Sequence, residues 1–422
     1  MEEAEGNDIS IPSFVQRAVS RFLVCGIPEG GFIRLRCPDC QTERALAFSC
    51  KGRGLCPSCG ARRMQDSVRN LVERILPESP IRQYVLSPPS EVVGLLASRE
   101  EALGALSRIF VDEVSRDVRA RVDIKSERLF TGSILFVQRF TKTLSCYPHF
   151  HLLVLDGGFT EAGDETPIFH EARAPQARAL LELSANVRLR FTRWLGKRGF
   201  LSDTPEAKSD DAWWQAATRD PSLRLRDVSR KPSDGFEVNA SVRVSARDRR
   251  GREQLVRYVA RPPFAESQLE HLDDERIKLK LRSPTRGAKR EIVVHPLVLL
   301  RRLAWLVPPP RHHQIRFFGV FAPAARLRQK VVPAGPVGVQ GTCFGPRAFV
   351  PLEPVPYRAR WARLLARTYG VDGHACPACA GRLVPRGAVL PPDAERWLRS
   401  RRISPLESTG PPEAQGVLPF IG

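Results

Sequence analysis

No stretch of the 422 residues comes near the roughly 18 consecutive apolar residues that a membrane span needs. The best candidate, HPLVLLRRLAWLVPPP at 295–310, is broken by Arg301 and Arg302 and stopped by prolines. The opening MEEAEGNDIS is acidic and polar, and a secretory leader is not expected from it. There is no internal repeat and no strong low-complexity tract. Tyrosine is scarce, with five residues in the chain, which narrows any search for a phenolic nucleophile. Together these absences predict a soluble, cytoplasmic protein. In that reducing setting the ten cysteines point to metal ligands rather than disulfides.

What is present is charge and a core. The length allows two or three domains, and 42% hydrophobic residues argue for a globular chain. The formal net charge is +20 and the pI about 10.2. A balance that basic favours a polyanionic partner, either nucleic acid or an acidic membrane surface. Arginine dominates the basic residues, and its fork matches phosphate oxygens. The plainer alternative is a generally basic surface without a specific partner.

Residues 37–59 read CPDCQTERALAFSCKGRGLCPSC. Cys37, Cys40, Cys56 and Cys59 form C-x2-C-x15-C-x2-C, two tight knuckles whose thiolates can complete a tetrahedral zinc site. A closed four-cysteine site would be structural and hold a small zinc ribbon that could not otherwise bury a core. On this reading Cys50 is a spectator and Cys25 is isolated. A further pair, Cys376 and Cys379 in HACPAC, has His374 nearby but no second knuckle in sequence. Cys146 and Cys343 have no evident partners. Arg53, Arg62 and Arg63, with other basic residues of the ribbon, suggest contact with nucleic acid, although ribbons also mediate protein contacts.

Periodicity outlines the rest. IRQYVLS, 81–87, reads as a strand stopped by Pro88 and Pro89. Apolar residues from Val92 to Val122 recur at helical spacing and predict one long amphipathic helix. GSILFVQRF, 132–140, and the segment leading to Leu155 predict an antiparallel strand pair. Residues 172–195 are helical by composition; 201–234, around Trp213 and Trp214, look like an irregular insertion. FEVNASVRV, 236–244, alternates as one strand. DRRGREQLVRYVARPPF is a short helix closed by Pro262 and Pro263. RIKLKLR and HQIRFFGVF are strands bracketing a helix that ends near Pro308. The tail from about 385 is proline-rich and poorly patterned.

His149 and His151 in SCYPHFHLLVLDGGF lie at i and i+2, so on a strand both imidazoles share a face. Three explanations compete. They could be hydrogen-bonded core histidines. They could supply two of three ligands in an oxygenase-like metal site. Or they could hold a divalent ion that polarises a scissile phosphate, which would require a nucleophile from elsewhere. Of the tyrosines, Tyr258 is the one set in a compact basic helix, where Leu255 and Val259 can pack while Tyr258, Gln254 and Arg261 face a groove. Arg257 and Arg261 could contact flanking phosphates. Taken alone, Tyr258 could equally be a packing residue.

The ordered blocks FSCKGRGLCPSCGARRM, FVQRF…PHFHLLVLDG and EQLVRYVARPPF resemble the HUH transposases of rolling-circle insertion sequences, the IS-ninety-one type and its common-region relatives. VPPPRHHQIRFFGVFAPAARLR and YGVDGHACPACAGRL resemble the later part of such chains, so the likeness covers roughly residues 10–385. It implies an α+β fold: a zinc ribbon over 10–75, an HUH-type antiparallel sheet with packed helices over 80–265 interrupted near 200–235, a DNA-associated region over 266–385, and a basic, proline-rich tail over 386–422. It implies that His149 and His151 hold Mg2+ or Mn2+ against a single-stranded DNA phosphate. Tyr258 would then attack to form a 5′-phosphotyrosine and release a 3′-hydroxyl.

Some relatives carry two tyrosines on that helix, whereas this chain offers one, so the resemblance leaves reuse of Tyr258 or self-association open. For a third metal ligand both Gln138 and Gln254 are neutral oxygen donors suited to a hard cation. Gln254 is the first choice, because related one-tyrosine enzymes draw a glutamine from the tyrosine helix. Single-stranded DNA at element ends and target is the expected partner, in a bacterial, nucleoid-associated setting. The same chemistry serves plasmid replication initiators and relaxases, and a non-catalytic zinc-ribbon DNA-binding protein is the reading of a different class.

Overall fold

The structure, a computed structural model, describes residues 10–124, 128–161, 166–200, 235–283, 290–333, 375–379 and 381–400. The expected insertion at 201–234, His374, Cys343, Tyr357 and Tyr369 lie outside these. Among the described residues no helix is long and apolar enough to cross a membrane.

The central feature is a six-stranded antiparallel sheet. Its strands are β3 (Ile81–Ser87), β4 (Gly132–Phe140), β5 (Cys146–Leu155), β8 (Glu237–Asn239), β9 (Arg243–Val244) and β13 (Ile315–Gly319). They run in the order β13-β4-β5-β3-β8, with β9 also on β3. The histidine strand β5 is therefore interior. β4 is buried along its whole length and most of β5 is too. Strands covered on both faces read as near-continuous apolar runs, as these do.

The two-residue period sorts those runs into two cores. Leu135, Val137, Phe150, Leu152 and Val154 face one way, against α4 (Glu100–Arg121) and α5 (Ala177–Lys197). Ile134, Phe136, Leu153 and Leu155 face the other, against α2 (Pro57–Arg74) and the tyrosine helix α6 (Arg249–Ala260). Each such side chain contributes about 1.5–3 kcal/mol of burial, so register across the sheet is firmly set.

β5 is followed by Asp156, which is fully buried and forked by Arg82, with Arg243 on the same carboxylate. At Gly157 the chain turns directly into the hairpin β6 (Gly157–Thr160) and β7 (Ile168–Glu171). A third core joins α1 (Ser13–Leu23), a small sheet of β10 (Leu269–Asp273), β11 (Arg276–Lys280) and β12 (Glu291–Val294), and α7 (Pro296–Leu306). A three-stranded ribbon combines β1 (Phe32–Arg36) and β2 (Glu43–Ala47) with β14 (Val384–Val389), followed by α8 (Asp393–Ser400).

Several sequence expectations change. The helix expected over 92–122 is two: α3 (Ser90–Ser98) ends where the Ser98 hydroxyl bonds the carbonyls of Gly94 and Leu95. Arg99 is extended before α4 begins. The helix expected from 172 starts at Ala177, because Pro175 holds the preceding residue out of helical geometry. The strand expected over 236–244 is interrupted where Asn239 accepts from Ser241 N–H. The tail is not patternless: β14 pairs with β1, and α8 covers it through Ala394 and Leu398 beside Phe32. Finally β13, from the region expected to begin at 266, is an edge strand of the central sheet.

Candidate active site and metal centres

On β5 the face that carries Leu153 also carries His149 and His151, so both histidines point toward α2 and α6. His151 is 2% exposed. Burial first, then the charges of His149 and Arg261, push it well below the usual imidazole value, so it is a neutral base near pH 7. Its Nδ1 lies 2.7 Å from the amide nitrogen, Nε2, of Gln83 on β3. A side-chain amide can present NH2 or oxygen across such a contact by turning over. With its oxygen forward it fixes Nδ1–H and leaves the lone pair on Nε2, a buried atom with no hydrogen-bond partner. His149 Nδ1 donates to the carbonyl of Tyr147 at 2.9 Å, which also places the lone pair on Nε2. The two rings lie 4.9 Å apart between centroids.

Gln138 on β4 is the cross-strand partner of His149. Its NH2 donates to the carbonyls of Tyr258 and Val259, 3.1 and 2.8 Å away, and its Oε1 is buried without a partner. Gln254 is exposed on α6. The structure places Gln138 beside the histidine pair, and Gln254 exposed on α6 one turn before Tyr258. Two oriented imidazoles and an amide oxygen on adjacent strands are a donor set that a hard divalent cation accepts.

The Tyr258 ring meets His151 edge-on, with centroids 5.6 Å apart and an interplanar angle of 88°, and 46% of the residue is exposed. The Arg261 guanidinium lies 4.4 Å from the Tyr258 ring centre, and Arg282, bonded to the Pro262 carbonyl, is near enough to repel it. Among the described tyrosines the others are engaged elsewhere. The Tyr84 hydroxyl, bonded to Asp117 and Arg121, is buried and its pKa raised. Tyr147 donates to the Pro88 carbonyl.

The expected DNA-contacting arginines divide. Arg261 is at the site, whereas Arg257 is tied to Gln65 of α2 at 2.6 Å. Arg53 donates to the carbonyl of His312 and Arg63 to that of Lys51. Arg62 lies half-buried on α2.

The single zinc site expected from Cys37, Cys40, Cys56 and Cys59 does not form. Two clusters take its place: Cys25, Cys50, Cys56 and Cys59, and Cys37, Cys40, Cys376 and Cys379. The hairpin β1–β2 carries the first knuckle away from the second. Cys56 caps α2, and its sulfur accepts from Cys59 N–H. Cys25 Sγ lies 3.8 and 3.9 Å from Cys56 and Cys59, and Cys50 Sγ 3.5 Å from Cys59. Thiol hydrogen bonds, led by that from Cys56, hold Cys59 down to about 4, while burial pushes Cys50 up to about 12. Four thiolates this close need a cation to ionise together. Sequence reasoning missed Cys25, Cys50 and Gln83. In IRQYVLS, 81–87, Gln83 follows Arg82, and nothing local sets it apart.

Residues 132–330 match the family model described as "Putative transposase", and residues 3–88 match that of the "Transposase zinc-binding domain". The chain is 23% identical over 399 residues to the "Transposase for insertion sequence element IS801" of Pseudomonas savastanoi pv. phaseolicola, covering 92% of this chain and 86% of that protein. Both matched models and this relative are those of transposases. No solved structure matches it. The matched zinc-binding segment contains all four cysteines of the first cluster, which supports a structural zinc there. Both histidines, Gln138 and Tyr258 fall inside the matched transposase segment.

Proposed function

We propose that the chain is a transposase that nicks and transfers single-stranded DNA, with Tyr258 as nucleophile. The observation that carries the reading is the edge-on approach of Tyr258 to His151, beside two buried unpartnered atoms, His151 Nε2 and Gln138 Oε1. A divalent cation held by His149, His151 and Gln138 would supply Lewis-acid polarisation of the scissile phosphate. Arg261, 4.4 Å from the Tyr258 ring centre, supplies positive charge beside the phenol, where the phosphate must sit.

The Tyr258 oxygen attacks phosphorus and loses its proton, a phosphotyrosine bond to the 5′ side forms, and the 3′ oxygen leaves as a hydroxyl. The energy of one phosphodiester is kept in another, so rejoining to a new 3′ end requires no nucleotide cofactor. With one such tyrosine on α6, Tyr258 serves each strand in turn or a second copy supplies the second phenol. Structural zinc in the N-terminal region supports the platform from which α2 packs on α6.

The test uses end-labelled single strands from the DNA flanking the gene, incubated with protein and Mn2+ or Mg2+. A denaturant-resistant adduct should form with wild type and be lost with Tyr258→Phe and His151→Ala. An adduct that survives Tyr258→Phe, or binding without any adduct, would overturn this assignment and leave a DNA-binding role.

A further inference from the structure

C-P-x-C occurs three times, at Cys37–Cys40, Cys56–Cys59 and Cys376–Cys379. The middle copy turns toward Cys25 and Cys50. The first and last face each other: Cys37 Sγ is 3.6 Å from Cys379 Sγ, and Cys40 Sγ is 3.5 Å from Cys376 Sγ. All four sulfurs lie within 4.8 Å of one another. Ligands about 2.3 Å from a tetrahedral zinc are about 3.8 Å apart, whereas disulfide sulfurs are about 2.05 Å apart. The spacing is that of thiolates around an ion.

The backbone repeats the same turn on both sides. Cys37 N–H bonds the carbonyl five residues on, at Thr42, and Cys376 N–H bonds the carbonyl five residues on, at Gly381. The second turn is closed by an antiparallel bridge between Ala375 and Arg382. A Cβ at Gly381 would fall 2.3 Å from Asp39 Oδ2 and 3.2 Å from the sulfurs of Cys37 and Cys379, so the knuckles pack directly on each other. Behind them Leu35 and Leu383 join Cys37 and Cys376 in a core of four buried residues. With the second cluster of Phe32, Ala45, Ala394 and Leu398, this is modest apolar burial to offset the entropy of ordering a distant strand.

We propose that Cys37, Cys40, Cys376 and Cys379 bind a second zinc ion, which clasps β14 and α8 onto the N-terminal ribbon. The matched zinc-binding segment ends at residue 88 and holds only half of this ligand set. The two sites also differ in access. Cys40 and Cys379 are exposed, whereas Cys56 and Cys59 are buried, so the clasp gives up its metal first.

The test is zinc content by elemental analysis, joined to amide exchange, on the full chain purified in zinc. Wild type should carry two zinc ions per chain, and Cys376→Ser/Cys379→Ser one. Exchange at 384–389 should rise at least tenfold in that variant, while Cys379→His should restore both zinc and protection. If the serine variant fails to fold, graded chelation of wild type replaces it: loss of the first equivalent should expose 384–389 while amides of α2 stay protected. One zinc in both wild type and the serine variant would overturn the clasp. So would loss of the first equivalent without any change at 384–389.

Discussion

The side-chain amide of Gln138 bonds the carbonyls of Tyr258 and Val259, the two that Pro262 and Pro263 leave without helical donors. Four residues past each carbonyl, where an N–H would come, stands a proline. The double proline that ends the tyrosine helix thus creates two orphan acceptors, and the strand beside the histidines satisfies both. Gln138→Glu keeps an oxygen but loses the donors and sets a carboxylate against two carbonyls. We expect a loss of about 1–3 kcal/mol, measured by urea denaturation, with adduct formation falling further than stability. Unchanged stability would mean the amide does not hold the helix.

On the proposed assignment Gln83 orients His151 through its contact with Nδ1. Gln83→Leu should weaken Mn2+ binding about 10–100-fold while Tyr258 and Arg261 stay in place. Adduct yield against Mn2+ concentration reads this as a rightward shift that high metal reverses. A lower plateau with an unchanged midpoint would count against an orienting role.

Asp156 is fully buried and shared by Arg82 and Arg243, with Arg121 3.6 Å away. Asp156→Asn preserves shape but leaves buried guanidinium charge uncompensated. A loss of about 3–5 kcal/mol is expected by denaturation, and a loss below about 1 kcal/mol would show that solvent reaches the cluster.

His312 titrates against its surroundings. Burial, then Arg139, Arg316, Arg53 and His313, bring it down to about 4 from the ordinary 6.5, even with Glu100 Oε2 3.3 Å from Nδ1. The unfolded chain binds a proton below pH 6.5 that the folded chain refuses until about pH 4. Stability from this group is therefore full above pH 6.5, declines as pH falls through that window, and levels off below it. The urea midpoint of wild type should drop more steeply between pH 7 and 5 than that of His312→Gln. Parallel slopes would remove His312 from the account.

β4 could be read from its near-continuous apolar run and β3 from the two prolines that stop it, whereas β11 and the helix of Tyr258 show apolar spacing at one period. The histidine face followed from the same period, and the nearness of Tyr258 from the assembled blocks. What could not be read was non-local. Three C-P-x-C knuckles look alike in sequence, and nothing local says that Cys40 meets Cys376 across 336 positions. Gln83 and Gln138 are ordinary polar residues until β3 and β4 flank β5. The break at Arg99 is invisible to helical periodicity, because α3 and α4 keep similar apolar spacing on either side of one extended residue.

The pairing of β1 with β14 bears on how the protein is made. Synthesis delivers β1 and β2 first and β14 long after, once the histidine strand and the tyrosine helix have left the ribosome. Until then β1 is an edge strand with unpaired N–H and C=O groups, open to pairing with another chain. The ribbon that starts the molecule is therefore among the last parts to mature, and a chain truncated before residue 384 would expose that edge permanently.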